Sequence, residues 1–445
     1  MTVTEKKPET GLPPTAEPPV DDVVVESGNF GQVIRLAIVL AVVTAIFLVA
    51  GLGDLLIFIV ILILTVMLHE LGHFATAKWA GMKVTEYFVG FGPRLWSIRK
   101  GETEYGVKAI PAGGYVRITG FTVTEDVAEE DEPRAYRQQP FWKRIIVGSA
   151  GSAMHFFIAF VLALIVVFAF GVPSSNQQIS GLEHWSGVSQ TPAQAAGLAA
   201  GDVIVSVNGH TLSDPNTLAN TIAHSVGKPV RIGVEDGGTT RIISVTPVKR
   251  AGLKADGSKL AATDSAQPHG YIGIELEQAT QSVNPIRGVG LAAQNMWDVT
   301  TAEVSGIYHL FSPSGVSSVL HQVSNSKYAT TVANNPSSGE RPVSIVGIAH
   351  LGSQAQQDGI QYLLEFLIII NIVFGLINML PMLPFDGGHV AVASYEWIRT
   401  KKGEPYYKAD ITKLFPIVGI FLAILSFFVL ASLYLDITHP FKNFF

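Results

Sequence analysis

Apolar positions along this chain gather into long runs separated by polar stretches. The first run, LAIVLAVVTAIFLVAGLGDLLIFIVILILTVML at 36–68, carries one charge, Asp54. A single helix of that length would reach about 50 Å at ~1.5 Å per residue, against a hydrocarbon core of ~30 Å. The run therefore reads as two spans hinged at GLGD, 51–54, so that residues 31–76 hold the first two transmembrane segments. One long tilted helix, or a first block lying at the interface, is the alternative. Further apolar segments at 141–172, 361–393 and 414–435 bring the expected total to five spans.

The polar and mixed stretches divide differently. Residues 82–120 are rich in Tyr, Phe, Val and Ile with Gly-rich breaks, and RKGE makes a plausible turn. They predict an extended, hairpin-forming region associated with the membrane. Residues 121–140 form an acidic linker. Within 178–278, PVRIGVEDGGTTRIISVTPV alternates like two strands around a tight turn, and LANTIAHSV has the spacing of an amphipathic helix. Residues 279–360 are mixed amphipathic pieces, read as an interfacial connector, and 394–413 form a basic loop. Residues 1–30, rich in Pro, Glu, Asp and Thr, read as a disordered tail. A tail of that length before the first apolar run argues against a cleaved signal peptide.

Composition agrees with a membrane protein: 48% of residues are hydrophobic and only 15% charged, where a soluble globule carries about a quarter. The net charge of −6 gives no reason to expect nucleic acid. The chain has no cysteine, so disulfides and thiolate metal sites are excluded, and a metal would need His, Asp, Glu or water. Lys78, Lys83, Arg94, Arg99 and Lys100 follow the second span, Lys143 and Arg144 precede the third, and Arg399, Lys401, Lys402, Lys408 and Lys413 lie between the last two. Positive-inside placement puts these segments in the cytoplasm and 173–360 outside.

The second span ends in VMLHELGHFATAKWAG. On a helix His69 and His73 share one face, and Glu70 lies beside the first imidazole. H-E-x-x-H is the pattern of zinc hydrolases in which Glu is the general base. Ionisable side chains in apolar spans are expensive, and three within five positions call for a common reason, which metal binding supplies. A catalytic zinc takes three protein ligands. The third candidate is Asp386 in INMLPMLPFDGGHVAV, where Pro381 and Pro384 prevent a plain helix. His389 and His155 are rival ligands, His389 reading more readily as an interface or capping histidine.

HELGH within an apolar helix, together with the distant NMLPMLPFDGGH, resembles the site-2 protease family of intramembrane zinc metalloproteases. Within it the chain is most similar to the Rip1-type regulated intramembrane proteases of actinobacteria. The resemblance implies His69, His73 and Asp386 as zinc ligands, Glu70 as base, and Asn378 as a residue that helps hold unwound substrate. It implies single-span membrane proteins as substrates, notably anti-sigma factors already shortened by an earlier extracytoplasmic cut. TPAQAAGLAAGDVIVSVNGHTL, 191–212, resembles the opening of a PDZ domain, which implies a site for a peptide C-terminus outside the cell. The text departs from the family where GSAGSAMHF places Ser152 at an expected proline and His155 at an expected asparagine. The fold class expected is thus a polytopic α-helical membrane protein with a membrane-associated β region and an inserted extracytoplasmic PDZ domain. A metal-carrying membrane transporter and an inactive scaffold related to the protease are the alternative functions.

Overall fold

The computed structural model describes residues 29–122, 125–185, 189–212, 214, 216–236, 239–249, 270–334, 341–401 and 407–441. The tail at 1–28 lies outside them, as do 123–124 of the acidic linker, the hairpin turn at 237–238, residues 250–269 and residues 402–406 of the basic loop. The chain divides into two units, 1–154 with 378–422, and 155–377 with 423–445.

The first unit begins with α1 (Asn29–Val49) and α2 (Gly53–Trp79). The break between them falls at Ala50–Leu52, where Gly51 has φ 70°, a conformation that costs glycine little. Strands β1 (Val84–Lys100) and β2 (Thr103–Ile118) follow. Their pairing is more than a simple hairpin. Residues 94–100 pair antiparallel with 103–108 across the turn, while 84–89 pair antiparallel with 114–118. The segment 86–89 also pairs with 104–107, so two strands make a sheet four segments wide. Bends at the sheet's waist make this possible. Gly90 has φ 83°, and a Cβ there would stand 2.6 Å from the Ile110 carbonyl oxygen.

Side chains from neighbouring elements fasten this sheet. Tyr87 donates to the Met67 carbonyl of α2 at 2.8 Å, and Phe74 of α2 packs against Tyr87 and Tyr105. At the turn, Glu102 accepts from Arg134 at 2.6 and 2.9 Å and from Lys78, at the end of α2, at 2.6 Å. The Arg134 guanidinium, with Lys78, holds the Glu102 carboxyl down at about 2. The unit is completed by the first half of α3 (Phe141–Ala169), by α11 (Asp386–Arg399) and by the start of α12 (Phe415–Thr438).

The second unit contains a sheet of a different kind. Strands β3 (Val172–Leu182), β4 (Val203–Val207), β6 (Val230–Asp236), β7 (Thr239–Val245) and β10 (Ile274–Gln281) are ordered β10-β3-β4-β6-β7, with β5 (His210–Thr211) paired to β4. A short ladder joins β8 (Val248–Lys249) and β9 (Gly270–Tyr271). Helices α4 (Pro192–Ala196) and α5 (Asn216–His224) bury Ala193, Leu218 and Ile222 against an aliphatic cluster that includes Ile179, Ile204, Ile232, Val234 and Val245. The sheet begins at Val172 and ends at Gln281, beyond both ends of the 178–278 expected from the text.

Among the described residues, the connector expected only as amphipathic pieces holds four helices, α6 (Pro285–Leu310), α7 (Pro313–Ser324), α8 (Ser326–Ala333) and α9 (Ile345–Asp358). Asn284, Ser312, Asn325 and Ser344 cap their N-termini through side-chain oxygens. The segment 361–393, where Pro381 and Pro384 were expected to prevent a plain helix, is two helices, α10 (Ile360–Asn378) and the short α11, separated by the proline-bearing stretch 379–385. Among the described residues five helical stretches are long and apolar enough to cross a membrane: Phe30–Val49, Gly53–Trp79, Phe141–Ala169, Ile360–Asn378 and Ile411–Thr438. The chain is therefore a polytopic helical membrane protein with associated β-sheets.

Candidate metal centre

Leu, Ile and Val make α2 apolar for four turns before the pattern admits His69, Glu70 and His73. Helical spacing brings both imidazoles to one side, where they lie buried with ring centroids 4.9 Å apart. Asp386 arrives from 313 residues further along, in the first turn of α11. Gly387 and Gly388 allow that turn to sit under the preceding stretch. A Cβ on Gly387 would collide with the Met379 carbonyl, and one on Gly388 would stand 2.6 Å from the Leu383 nitrogen. The carboxylate thereby reaches the histidines: Asp386 Oδ2 is 3.1 Å from His73 Nε2 and 3.5 Å from His69 Nε2.

Helix α3 supplies the floor. The Val147 carbonyl accepts from His73 Nδ1 at 2.7 Å. A carbonyl can only accept, so Nδ1 of that ring carries a proton and Nε2 is the nitrogen that faces Asp386. A neutral ring offers its Nε2 lone pair to a metal, whereas an imidazolium donates from Nε2 to the carboxylate at 3.1 Å. Gly151 gives the space: a Cβ there would stand 2.6 Å from His69 Nε2 and nearer still to His73 Nε2. One ligand atom from each of His69, His73 and Asp386 lies within 4.8 Å of the others. Ligands about 2.0–2.1 Å from a tetrahedral zinc stand roughly 3.3 Å apart, so the two measured distances fit that ion. The cluster is capable of coordinating a metal.

Glu70 is oriented by the sheet. Its Oε2 accepts from the Val116 backbone N–H at 3.0 Å, and Gly114 packs beside Met67 and Glu70. The rival ligands have other partners. His389 stacks on Phe121 with centroids 4.1 Å apart. His155 is buried with its Nδ1 3.0 Å from Asn371 Oδ1. Asn378 closes α10, outside the three-residue cluster. Val147, Gly151 and Val116 were missed in the sequence because two of them act through backbone atoms and one by lacking a side chain. Only the small-residue text GSAGSA hinted that something approaches α3 closely.

Residues 57–426 match the profile of Peptidase family M50. The chain belongs to that family. It is 32% identical over 424 residues to the zinc metalloprotease Rip1 of Mycolicibacterium smegmatis, covering 88% of this chain and 99% of the relative. Against zinc metalloprotease Rip1 of Mycobacterium tuberculosis strain H37Rv the identity is 31% over 416 residues, with 87% and 98% covered. A putative zinc metalloprotease of Neisseria meningitidis is 28% identical, with 78% and 92% covered. Family membership and the His69–His73–Asp386 cluster together make this M50 member a site-2 type zinc metalloprotease and set the carrier and scaffold readings aside.

Proposed function

We propose that the chain is an intramembrane endopeptidase in which His69, His73 and Asp386 hold zinc and Glu70 is the general base. The convergence of Asp386 on the two imidazoles carries the reading. Bound zinc supplies Lewis acidity, which polarises a peptide carbonyl and makes water more acidic. Glu70 takes the proton from the attacking water and returns it to the leaving nitrogen. The Val116 N–H aims one oxygen of Glu70 and leaves the other for that transfer. Val147 fixes the His73 tautomer, and Gly151 keeps side-chain atoms out of the space between the ligands.

Depth supports the intramembrane assignment. Trp79 and Trp142 pack edge to face at 5.8 Å, and Phe141 stacks on Trp397 at 5.0 Å, with all three Trp exposed. Such aromatic belts mark the membrane–water boundary. At ~1.5 Å per residue, His73 lies about 9 Å and His69 about 15 Å along α2 from Trp79. The positive-inside tendency of the basic segments supports a cytoplasmic boundary here and an extracytoplasmic second sheet. Substrates are single-span membrane proteins such as anti-sigma factors, attacked after a first extracytoplasmic cut. Their helix must unwind, because unpaired backbone in lipid costs several kcal/mol per group. Asn378, at the end of α10, is the residue proposed to hold that unwound backbone. The domain around β3–β10 is read as PDZ: Thr191 opens α4 with a capping box, Gly197 closes it at φ 83°, and α5 packs on the sheet. Its proposed ligand is the new C-terminus left by the earlier cut.

The test is Glu70→Gln in reconstituted membranes with a single-span substrate. The variant is expected to retain zinc and fold but lose cleavage by at least about a hundredfold. Cleavage at the parent rate would overturn the proposed base.

A further inference from the structure

Arg144 and Glu396 form an ion pair that the proposed chemistry leaves unused. Arg144 Nη1 donates to Glu396 Oε2 at 2.7 Å, and the two side chains are only 5% and 8% exposed. The other Glu396 oxygen accepts from the Ala409 N–H at 2.8 Å. Tyr136, whose phenol is pushed up to about 12 by burial, donates to the Arg144 carbonyl at 3.1 Å, and its ring lies 5.2 Å from the guanidinium. An arginine near the end of a span normally extends its head group to water. Here it turns inward and is enclosed.

Burial of such a pair contributes little net stability, because desolvation offsets the attraction. Its use is more often to specify one arrangement among several. The neighbouring contacts show which arrangement. Along α3, Arg144 meets Glu396, Gly148 approaches Val390 so closely that a Cβ would stand 3.1 Å from Val390 Cγ2, and Gly151 abuts the imidazoles beside Asp386. As residue numbers rise on α3 they fall on α11. The two helices therefore run past one another in opposite directions, with the ion pair at one end and the metal cluster at the other. From Glu396 to Asp386 is about 15 Å of helix. A slip of α11 along α3 would carry Asp386 away from His69 and His73.

We propose that Arg144 and Glu396 are a positioning pair that fixes the register of α11 on α3 and thereby holds Asp386 within reach of the two histidines. The inference rests on the proposed ligand role of Asp386. The pair touches neither substrate nor metal and acts through the helices.

The experiment uses the full chain in detergent and in liposomes. Zinc affinity is read by competition with a chelator, ligand geometry by the absorption of the cobalt-loaded protein, and folding by thermal unfolding. Replacing both partners, R144M/E396M, removes the pair without stranding a charge. Its expected effect is a 10- to 100-fold loss of zinc affinity, an altered cobalt spectrum and a lower kcat with KM little changed. E396Q keeps the acceptor for Ala409 but strands the buried Arg144 charge, and is expected to unfold at a lower temperature than the double variant. Adding G148C/V390C to the double variant builds a cross-link at the close approach of the helices, in a chain with no other cysteine. Oxidation of that link is expected to restore zinc affinity, and reduction to abolish the rescue. A folded double variant with the parent's affinity and cobalt spectrum overturns the proposal, as does an oxidised cross-link that forms without restoring affinity. A parent chain that binds no zinc overturns the ligand reading and this inference with it.

Discussion

The two β-sheets of this protein solve the same problem in opposite ways. The sheet of the second unit carries its own core: Ile179, Ile204, Ile232, Val234 and Val245 are buried among one another and under two short helices. The sheet at 84–118 shares its buried cluster with helices, Val84 and Ile118 packing with Ala77 of α2 and Val147 of α3. Its outer N–H groups turn to side chains of helices, Val116 to Glu70 of α2 and Ser97 to Gln32 of α1 at 3.4 Å. Unpaired strand edges are costly in hydrocarbon and invite pairing in water. One sheet is thus held from within, while the other is held by what lies beside it, including the proposed base.

The sharpest way to break this contrast is a cavity in the self-supporting sheet. Ile232→Ala, at a fully buried position, is expected to cost about 2–5 kcal/mol in that unit. Zinc affinity should be unchanged, and protease protection of 172–281 should fall; a parallel loss of zinc would show that the sheets are not independent. Next in size is Gly114→Ala, whose methyl would press on Met67 Sδ. Overpacking of this kind costs about 1–3 kcal/mol. Amide exchange at 114–118 and cleavage should both change, while the other sheet keeps its protection.

A smaller effect is set by pH. The Glu102 carboxyl, drawn down to about 2 from an ordinary 4.5 by Arg134 and Lys78, stabilises the folded form fully above pH 4.5. That contribution is lost as pH falls toward 2. The site is partly exposed, so screening limits it to about 1 kcal/mol. Glu102→Gln should flatten the acid limb of stability in that window and leave neutral-pH cleavage intact. The smallest change is expected from Gln32→Ala, about 0.5 kcal/mol, visible as faster exchange of the Ser97 amide with little else altered.

Legibility followed the same division. Alternation exposed the strands at 229–248, because one face of each is buried against a core of its own. The strands at 84–118 were legible as a hairpin with a turn at RKGE, but not in how they pair. Their double pairing depends on bends at Gly90 and on helices far away in the text, and no local period encodes it. His69 and His73 of the three-residue cluster could be singled out because ionisable groups inside an apolar span are costly and hence informative. Arg144 and Glu396 carried the same kind of signal, but each lies beside a basic or aromatic stretch that reads as an interfacial anchor. Their partnership spans 252 residues. The capped helices at 285–358 showed only as amphipathic pieces, because their starts at Asn284, Ser312, Asn325 and Ser344 were not read as caps.

The stretch 379–385 acts as a ruler between α10 and Asp386. Gly387 and Gly388 lock its far end in place, so slack introduced there has nowhere to go. Adding or deleting one residue just inside α11 would turn every later side chain by about 100° relative to those before it. Loop lengths elsewhere can drift through evolution at small expense. This one is bound to the spacing of three atoms, and a chain altered by a single codon here is expected to insert in the bilayer while losing its capacity to hold a metal at that cluster.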